Sequence, residues 1–579
     1  MEDGHAASLP RPRRGAHGIG CWPVSPRLYL FVQSLALAVL ATWPLLAHPG
    51  TAAIGSPESD TIKHLWTLWW MKAQVLSGGG LHTTLVNVPE GMRLFPIEPL
   101  NGLLSLLLPF GAVATSNILA VTHLVLTGLC GGWLGKLVTG SDRGARVAAA
   151  LLQGSAFVAF TLHVGVGELR QVWWLPLGLG CLLRAHETLR WRWFLALAGV
   201  LAGSVISCFY HGLFLAIAVS VVALLTLRLR WRLWVGYALA AGLALAVVLP
   251  VVHAFSASFG LGRPQEVFGS RGDVRLDYRL EAAHLDDLVR WQTPSAEPEA
   301  RQERAYSGGR YLGILACILA LMGVVAAPRK SLPWVAVGVS GALLAFGSVL
   351  WLGEETVKVG GHALRLPFAW LNQALAQYAE PLHFPARFLV LSSVAVSVLG
   401  ALASRWRWAI WVVPLALADI AVHDLAVWPR RTVTLPDMRG IDDVALRAAG
   451  IEGALADLSL AAESNEETRT LAVAAQLTTG RATQAVPIER LDAWAPQGND
   501  WLRVRPIARL GNLARPGVVL PGPDEVSLDL EALAERGFGG ILLTHRDSTP
   551  DSRTDRLLTS FCGSPLRAAH ATVWKLPGR

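Results

Sequence analysis

The chain has 579 residues, of which 53% are hydrophobic and only 16% are charged, and its formal net charge is +8. This composition excludes an ordinary soluble protein, because so apolar a chain requires a membrane as solvent. The positive charge does not indicate nucleic-acid binding, since the basic residues lie mainly in short segments between apolar runs.

Apolar runs long enough to cross a hydrocarbon core of roughly 30 Å recur along the chain. They predict a mainly α, polytopic fold with about 11 transmembrane helices, in a transmembrane domain over residues 28–427. We interpret the first run as an uncleaved signal anchor, because its basic leader is long and further spans follow. The predicted spans are 28–47, 116–138, 146–163, 172–183, 194–207, 212–227, 234–255, 311–327, 332–352, 388–403 and 408–424.

Arginine and lysine in the short loops predict the orientation, because basic residues are retained on the cytoplasmic side. The tail 1–27 is basic, and so is every second short loop after it. We therefore expect a cytoplasmic N-terminus. The long loops 48–117, 256–310 and 353–387 and the C-terminal segment 428–579 are then external.

The first external loop, 48–117, is the most informative. Asp60 can cap a helix that begins at Thr61 and carries Trp66 and Trp70, an aromatic-rich segment typical of the bilayer interface. A second helix near 99–110 is apolar all round. We interpret it as re-entrant or interfacial, because another crossing there would invert the assignment of every later loop.

The C-terminal segment 428–579 loses the long apolar runs and predicts a soluble α/β domain. Within it we predict a helix at 528–536, a turn at 537–540, a buried strand at 541–544 and a last strand at 571–576.

This layout resembles the GT-C superfamily of membrane glycosyltransferases, and more specifically a group of bacterial multi-pass proteins. The resemblance covers nearly the whole chain. The motifs that carry it are Ser59-Asp60-Thr61 with Trp66 and Trp70, Val88-Pro89-Glu90-Gly91-Met92, Gln171-Val172-Trp173-Trp174-Leu175-Pro176, Leu366-Pro367, His383-Phe384-Pro385-Ala386-Arg387-Phe388, and the segments 476–480 and 537–544.

The resemblance implies transfer of a sugar from a polyprenyl-phosphate-linked donor to an envelope glycan, lipid or protein. The acceptor would lie on the periplasmic face of a bacterial inner membrane, where the external domain also lies. The implied partners are thus the lipid-linked donor, membrane lipids and an envelope acceptor, without nucleic acid.

Such a reaction needs a carboxylate base for the acceptor hydroxyl, and Asp60 is our candidate. The leaving phosphate needs cations, and the candidates are Arg387, Arg310, Arg93 and Lys63, with His383 and Glu168 as further substrate-binding residues. Glu58 and Asp60 form a Glu-x-Asp pattern, which departs from the more common Asp-x-Asp. A divalent cation, Mg²⁺ or Mn²⁺, at these two acids therefore stays open.

Each residue also has a simpler explanation. Asp60 can act only as a helix cap, Arg387 as an interfacial anchor and Glu168 as a boundary residue between two spans. His64, His211 and His383 lack zinc-site spacing, which favours structural hydrogen bonds for all three.

Two other functions remain open. A transporter or flippase of a lipid-linked envelope precursor would use similar cations without a base, although clear internal repeats are absent from the sequence. A non-catalytic assembly protein would bind through its external domain, but the predicted spans are many for an anchor.

Overall fold

A computed structural model gives the structure of the chain over twelve segments. The predicted tail as far as residue 24, Glu58 and most of the loop 256–310 lie outside the described residues. The described segments are 25–56, 60–226, 231–258, 281–288, 309–352, 355–375, 382–423, 430–463, 465–485, 497–512, 518–546 and 551–578.

The described chain is mostly helical before residue 424. A helix overlaps each predicted span. The helix in the span 332–352 already ends at Ala345, and the run 146–163 is divided, because Ser155 caps a new helix by accepting a hydrogen bond from Val158 N. The helices are α1 Pro26–Ala41, α2 Thr61–Leu76, α3 Pro99–Ser105, α4 Ala112–Thr139, α5 Asp142–Gln153, α6 Ala156–His163, α7 Trp174–Thr188, α8 Trp191–Ser207, α9 Phe209–Thr226, α10 Trp231–Ser258, α11 Ile314–Ala326, α12 Pro328–Ala345, α13 Pro367–Leu375, α14 Leu389–Ala403 and α15 Ala409–His423.

Five helical segments of the described chain are long and apolar enough to cross a membrane, as judged by length and composition. They are Ala112–Thr139, Asp142–His163, Phe209–Thr226, Trp231–Phe255 and Pro385–Ala403. Four shorter apolar helices are Pro26–Ala41, Trp191–Ser207, Ile314–Ala326 and Ala409–Val422. The chain is thus a multi-pass membrane protein, and the full number of crossings stays a prediction.

Small residues let neighbouring helices of the bundle approach closely. A Cβ on Gly135 of α4 would lie 2.5 Å from Ala148 Cβ of α5, and one on Gly323 of α11 would lie 1.8 Å from Leu399 O of α14. Any larger side chain at these positions would separate the helices. Small residues at such helix contacts are common in membrane bundles.

The first loop folds around α2, with β1 Ala52–Ile54 before it and the hairpin β2 His82–Thr83 and β3 Met92–Arg93 after it. Helix α2 begins at Thr61 as predicted, but its interfacial role is wrong for two tryptophans. Trp66 and Trp70 are 0% and 2% exposed and stack at 6.1 Å, so they form a core beneath other protein instead of contacting lipid. Helix α3 ends at Ser105, earlier than predicted.

Between α12 and α13, β4 Trp351–Leu352 pairs with β5 Glu355–Thr356, and β6 Lys358–Val359 pairs with β7 His362–Ala363, both in antiparallel register.

After residue 430, β9 Ala454–Asp457, β10 Phe538–Thr544, β11 Leu566–Arg567 and β12 Ala571–Lys575 form a four-stranded sheet. Its order is β11-β12-β10-β9, with β9 and β10 parallel and the other pairs antiparallel. The predicted turn at 537–540 is wrong, because β10 already begins at Phe538. A glycine is needed in this strand, since a Cβ on Gly539 would overlap Glu452 O at 1.3 Å. The elements are β8 Thr432–Thr434, α16 Asp443–Ala448, β9 Ala454–Asp457, α17 Leu458–Ala462, α18 Glu466–Thr479, α19 Gln497–Arg503, α20 Pro523–Glu535, β10 Phe538–Thr544, α21 Ser552–Cys562, β11 Leu566–Arg567 and β12 Ala571–Lys575.

The C-terminal sheet and the first loop share backbone hydrogen bonds. Strand β1 pairs with β8 in antiparallel register, Ala53 opposite Val433. Thr483, which bridges to Leu455 of β9, also bonds to Leu85 O and Val88 N of the first loop. The two parts therefore lie on the same side of the helical bundle.

Asp457 at the end of β9 is fully buried, and burial raises the pKa of its carboxyl to about 7 despite backbone hydrogen bonds from Leu460 and Ser459. Between about pH 4 and 7 the folded state then binds more protons than the unfolded state, so stability falls as the pH rises through that window. We expect Asp457→Asn, which can still cap α17, to stabilise the chain at pH 7.5 by at most about 4 kcal/mol, with little gain at pH 4.

Thermal unfolding of the detergent-solubilised full chain between pH 4 and 8 measures this difference. Glu531→Gln, at an exposed site of α20, is the control and should show no such pH-dependent gain. A gain for Asp457→Asn that is equal at pH 4 and pH 7.5 would contradict the assignment.

Candidate functional site

The described residues form a buried cluster of two carboxylates around one histidine, where α2 meets the bundle. Nδ1 of His64 bonds to Oε1 of Glu98, the residue that precedes α3, and Nε2 of His64 lies 3.3 Å from Oε2 of Glu168. One ligand atom from each residue lies within 4.8 Å of the others, so the three could hold a metal ion. The cluster joins the first loop to the turn between α6 and α7.

Glycines allow the segment that carries Glu168 to approach α2. A Cβ on Gly165, whose φ is +67°, would lie 1.9 Å from Thr61 Oγ1. A Cβ on Gly167 would lie 2.3 Å from the Glu98 carboxylate. A side chain at either position would push the turn away from the cluster.

A chain of buried hydrogen bonds orients the carboxylate of Glu98 within the cluster. The indole of Trp173 can only donate, so Nδ1 of His123 accepts at 3.1 Å and its Nε2 carries the hydrogen. That Nε2–H donates to Asn101 Oδ1 at 2.8 Å, and the Asn101 amide donates to Oε2 of Glu98. Each bond fixes the direction of the next, which leaves Oε1 of Glu98 for His64.

Arg170 supplies the second cation of the cluster. Its side chain is 3% exposed and donates a hydrogen bond to Ile54 O at 3.0 Å. The charges of Glu98 and Glu168 stabilise its positive charge. A small cavity, lined among others by Glu98, Asn101, His123 and Arg170, lies beside it. Two cations, His64 and Arg170, therefore offset the two carboxylates of the cluster.

The electrostatics keep His64 charged at neutral pH. Burial alone would lower its pKa, but Glu98 and Glu168 outweigh burial and raise the pKa to about 9. Burial opposes ionisation of Glu98, yet its contacts with His64 and Asn101 hold its pKa below the ordinary value. Burial raises the pKa of Glu168 and lowers that of Arg170 to about 10.

Asp60 stands at the N-cap of α2, one turn before His64. Among the described residues its side chain accepts no capping bond from the helix; it forms an ion pair with Lys63 at 2.7 Å instead. Both side chains are partly exposed, Asp60 to 23%. Asp60 also acts electrostatically on His64 and Glu168, so this predicted residue lies at the edge of the cluster.

Arg387 is 5% exposed and lies in the 3-10 turn Pro385–Phe388. Its guanidinium lies 4.0 Å from the ring centre of Phe384 and 5.1 Å from that of Tyr210. Within the described residues its Nε has no hydrogen-bond partner, and no carboxylate lies within ion-pair distance. Among the residues that the structure describes, Arg387 is therefore a buried cation without a compensating anion.

Arg387 lies on the Glu168 side of the cluster. Its charge acts on His211 of α9, which donates from Nε2 to Leu169 O at 3.1 Å, next to Glu168 in the chain. Arg387 and Glu168 both act on the thiol of Cys208. The structure thus brings Arg387 and Glu168 into one region.

The remaining candidates have other surroundings. Arg310 forms a buried ion pair with Asp287 at 3.2 Å, Arg93 is exposed on the β2–β3 hairpin, and His383 packs against Phe384. Glu58 lies outside the described residues. In the described chain the acids that could hold a cation together with a histidine are Glu98 and Glu168, and the predicted pair of Glu58 and Asp60 stays a prediction.

Sequence reasoning missed Glu98, together with Asn101 and His123 as its neighbours. A signal was present, because Glu98 is a lone acid at the head of the apolar run 99–110. An ionisable residue beside membrane-embedded sequence is a functional candidate by default. His64 was expected to have only a structural hydrogen bond.

A scan against models of known families and a search of curated proteins both find no match. Among solved structures, the chain is similar to the oligosaccharyltransferase of Archaeoglobus fulgidus, with 11% identity, 92% of this chain and 71% of that chain covered, and a TM-score of 0.48. It is also similar to the arabinofuranosyltransferase AftD from Mycobacteria, with 14% identity, 96% of this chain covered and a TM-score of 0.48. The chain spans only 40% of the length of AftD.

A third similar structure is ArnT from Cupriavidus metallidurans bound to undecaprenyl phosphate, with 13% identity, 95% and 98% of the two chains covered and a TM-score of 0.40. Because all these TM-scores lie below 0.5, we argue function from the residues of this chain.

Proposed function

We propose that this protein is a membrane glycosyltransferase that moves a sugar from a polyprenyl-phosphate-linked donor to an envelope glycan, lipid or protein on its external face. The donor class comes from the sequence resemblance. The residues that support the chemistry are Arg387, Asp60 and the cluster around His64.

The main support for the proposal is that the guanidinium of Arg387 is buried and forms no ion pair within the described residues. Removing a guanidinium from water without a counter-ion is costly, and buried charges in proteins are normally paired. The two rings beside it recover only about 0.5–2 kcal/mol through cation–π attraction. An anionic ligand would supply the missing charge, and a lipid phosphate at the membrane boundary has that chemistry.

Asp60 would act as the base. A base must reach the acceptor hydroxyl, and Asp60 is the partly exposed acid at the edge of the cluster, whereas Glu98 is 1% exposed. Lys63 keeps Asp60 oriented through their ion pair. Leaving-group and acceptor chemistry would then be divided between Arg387 and Asp60, with the His64 cluster between them.

His64, Glu98 and Glu168 would hold a divalent cation in place of the proton on His64, because an imidazolium cannot bind a metal. The fit is supported by Oε2 of Glu168, which is buried and has the 3.3 Å contact with Nε2 of His64 but no hydrogen bond within the described residues. An imidazole beside two carboxylates favours Mn²⁺ over Mg²⁺, which prefers oxygen ligands only. A cation there would add positive charge for the leaving phosphate.

A transporter or flippase of a lipid-linked precursor would need Arg387 but no base. A non-catalytic assembly protein would need neither residue. Loss of sugar transfer on substitution of Asp60 would distinguish a glycosyltransferase from both alternatives, because neither of them needs a base.

We expect Asp60→Asn to lower kcat for sugar transfer at least about 100-fold, since an amide cannot accept the acceptor proton. Membranes carrying the full chain would be assayed with a panel of polyprenyl-phosphate-linked sugars. Asp142→Asn is the matched control, because Asp142 pairs with Lys136 at the same 2.7 Å, in a loop predicted to be cytoplasmic. Normal turnover in Asp60→Asn would remove Asp60 as the base, and no turnover by the wild type would favour transport or assembly.

Arg387→Gln should weaken binding of polyprenyl phosphate about 10- to 100-fold and leave the unfolding midpoint nearly unchanged, because no buried anion is left unpaired. Arg310→Gln should leave lipid binding unchanged and lower stability by about 3 kcal/mol, because it breaks the buried ion pair with Asp287. Lipid binding and thermal unfolding would be measured on the same detergent-solubilised samples. Equal destabilisation by both changes with unchanged lipid binding would make Arg387 structural.

The full-length protein should bind Mn²⁺ saturably, and Glu168→Gln should weaken that binding more than the tenfold typical of losing an outer-shell partner. Electron paramagnetic resonance of free Mn²⁺ measures this without any transfer assay. Glu187→Gln, which removes an exposed acid paired with Arg184, should leave binding unchanged. Identical Mn²⁺ binding by the wild type and Glu168→Gln would exclude this cation site.

A further inference from the structure

We infer that the C-terminal segment 430–578 acts as a clamp that positions α2, the helix carrying Asp60 and His64, and that Gln476 is its principal positioning residue. The effect of this clamp on catalysis rests on the proposed function. Its effect on the position of α2 does not.

The clamp holds the chain immediately before Asp60. Strand β1 pairs with β8 over three residues, and Gly55 N continues the pairing by donating to Arg431 O at 3.1 Å. Ile54 O in turn accepts from Arg170 of the charged cluster. The backbone leading into α2 is therefore held between the C-terminal segment and the cluster.

Gln476 of α18 holds the middle of α2. Its Oε1 accepts from the indole nitrogen of Trp66 at 2.7 Å, and its Nε2 donates to Leu85 O at 2.8 Å and to Arg481 O at 3.2 Å. Gln476 is 2% exposed and Trp66 is fully buried. One amide thus ties α2 and the later part of the first loop to a single helix of the C-terminal segment.

A third tie holds the loop that follows α2. The bonds of Thr483 to Leu85 and Val88 add this loop to the edge of the C-terminal sheet beyond β9. Nearby, Arg536 forms an ion pair with Glu90 at 2.6 Å. The same guanidinium lies 4.3 Å from the ring centre of Trp501.

These ties stand before, within and after α2. His64 is only two residues from Trp66 on that helix, so a shift of Trp66 would move the histidine relative to Glu98 and Glu168. The buried indole N–H has one partner in the described chain, Gln476, and removing it leaves a desolvated donor. The C-terminal segment therefore fixes where Asp60 and His64 stand relative to the bundle.

The test compares two buried glutamines of the C-terminal segment by hydrogen exchange of the full chain in detergent. Gln476→Leu should speed amide exchange over Thr61–Leu76 about tenfold, because α2 opens more often without its tie. Gln484→Leu is the matched control: Gln484 is also buried and makes two hydrogen bonds, but both go to Asp457 of β9. It should leave exchange over Thr61–Leu76 unchanged.

Trp66→Phe removes the donor together with part of the buried indole, and it serves if Gln476→Leu folds poorly. Because both changes break the bond between Gln476 and Trp66, their effects on exchange over α2 should be less than additive in the double variant. Where the wild type transfers sugar, Gln476→Leu should lower kcat about tenfold and change KM for the lipid donor less than twofold, because Arg387 lies outside α2.

Unchanged exchange over α2 in Gln476→Leu, or an equal rise in Gln484→Leu, would overturn the clamp whatever the activity. Faster α2 exchange in a protein that transfers no sugar would support the clamp and count against the glycosyltransferase. Lowered kcat with equally raised KM would show a general loss of fold and overturn the positioning role.

Discussion

The buried contact between His64 and Glu98 is the interaction on which the candidate site depends. A buried ion pair recovers its desolvation cost only when its geometry is good and its remaining polar atoms are bonded. The second oxygen of Glu98 is bonded through Asn101 to His123 and Trp173, so the bundle itself completes the pair. Because these groups belong to different elements, the contact fixes α2 on the membrane helices.

The surroundings of Arg387 differ from those of two other buried arginines. Arg170 has Glu98 and Glu168 close by, and Arg310 has Asp287. Arg387 is as buried as these two but faces aromatic rings, which attract a cation without neutralising it. The same residue type therefore has a structural role where a carboxylate is present and is a candidate anion site where one is absent. Exposure and position in the sequence alone could not separate them.

The sequence predicted the helical runs well, because a span leaves a local mark in length and apolarity. It failed where a surface is covered by a distant part of the chain. Trp66 looked interfacial because nothing in α2 reveals that Gln476, far along the chain, bonds to its indole. Glu98 was missed for a similar reason, since its partners His64 and Glu168 come from other elements. Orientation and Asp60 as base rest on charge pattern and resemblance, which the described contacts do not test.

Pairing between β1 and β8 also constrains the membrane topology. Paired strands lie on one side of the bilayer, so the chain crosses an even number of times between Ile54 and Thr432. All five long apolar segments fall in that interval, and five crossings alone would separate the strands. If all five cross, at least one further segment crosses as well, and the apolar candidates among the described helices are Trp191–Ser207, Ile314–Ala326 and Ala409–Val422. The ten spans predicted in the interval have the same parity, which the loop charges predict independently.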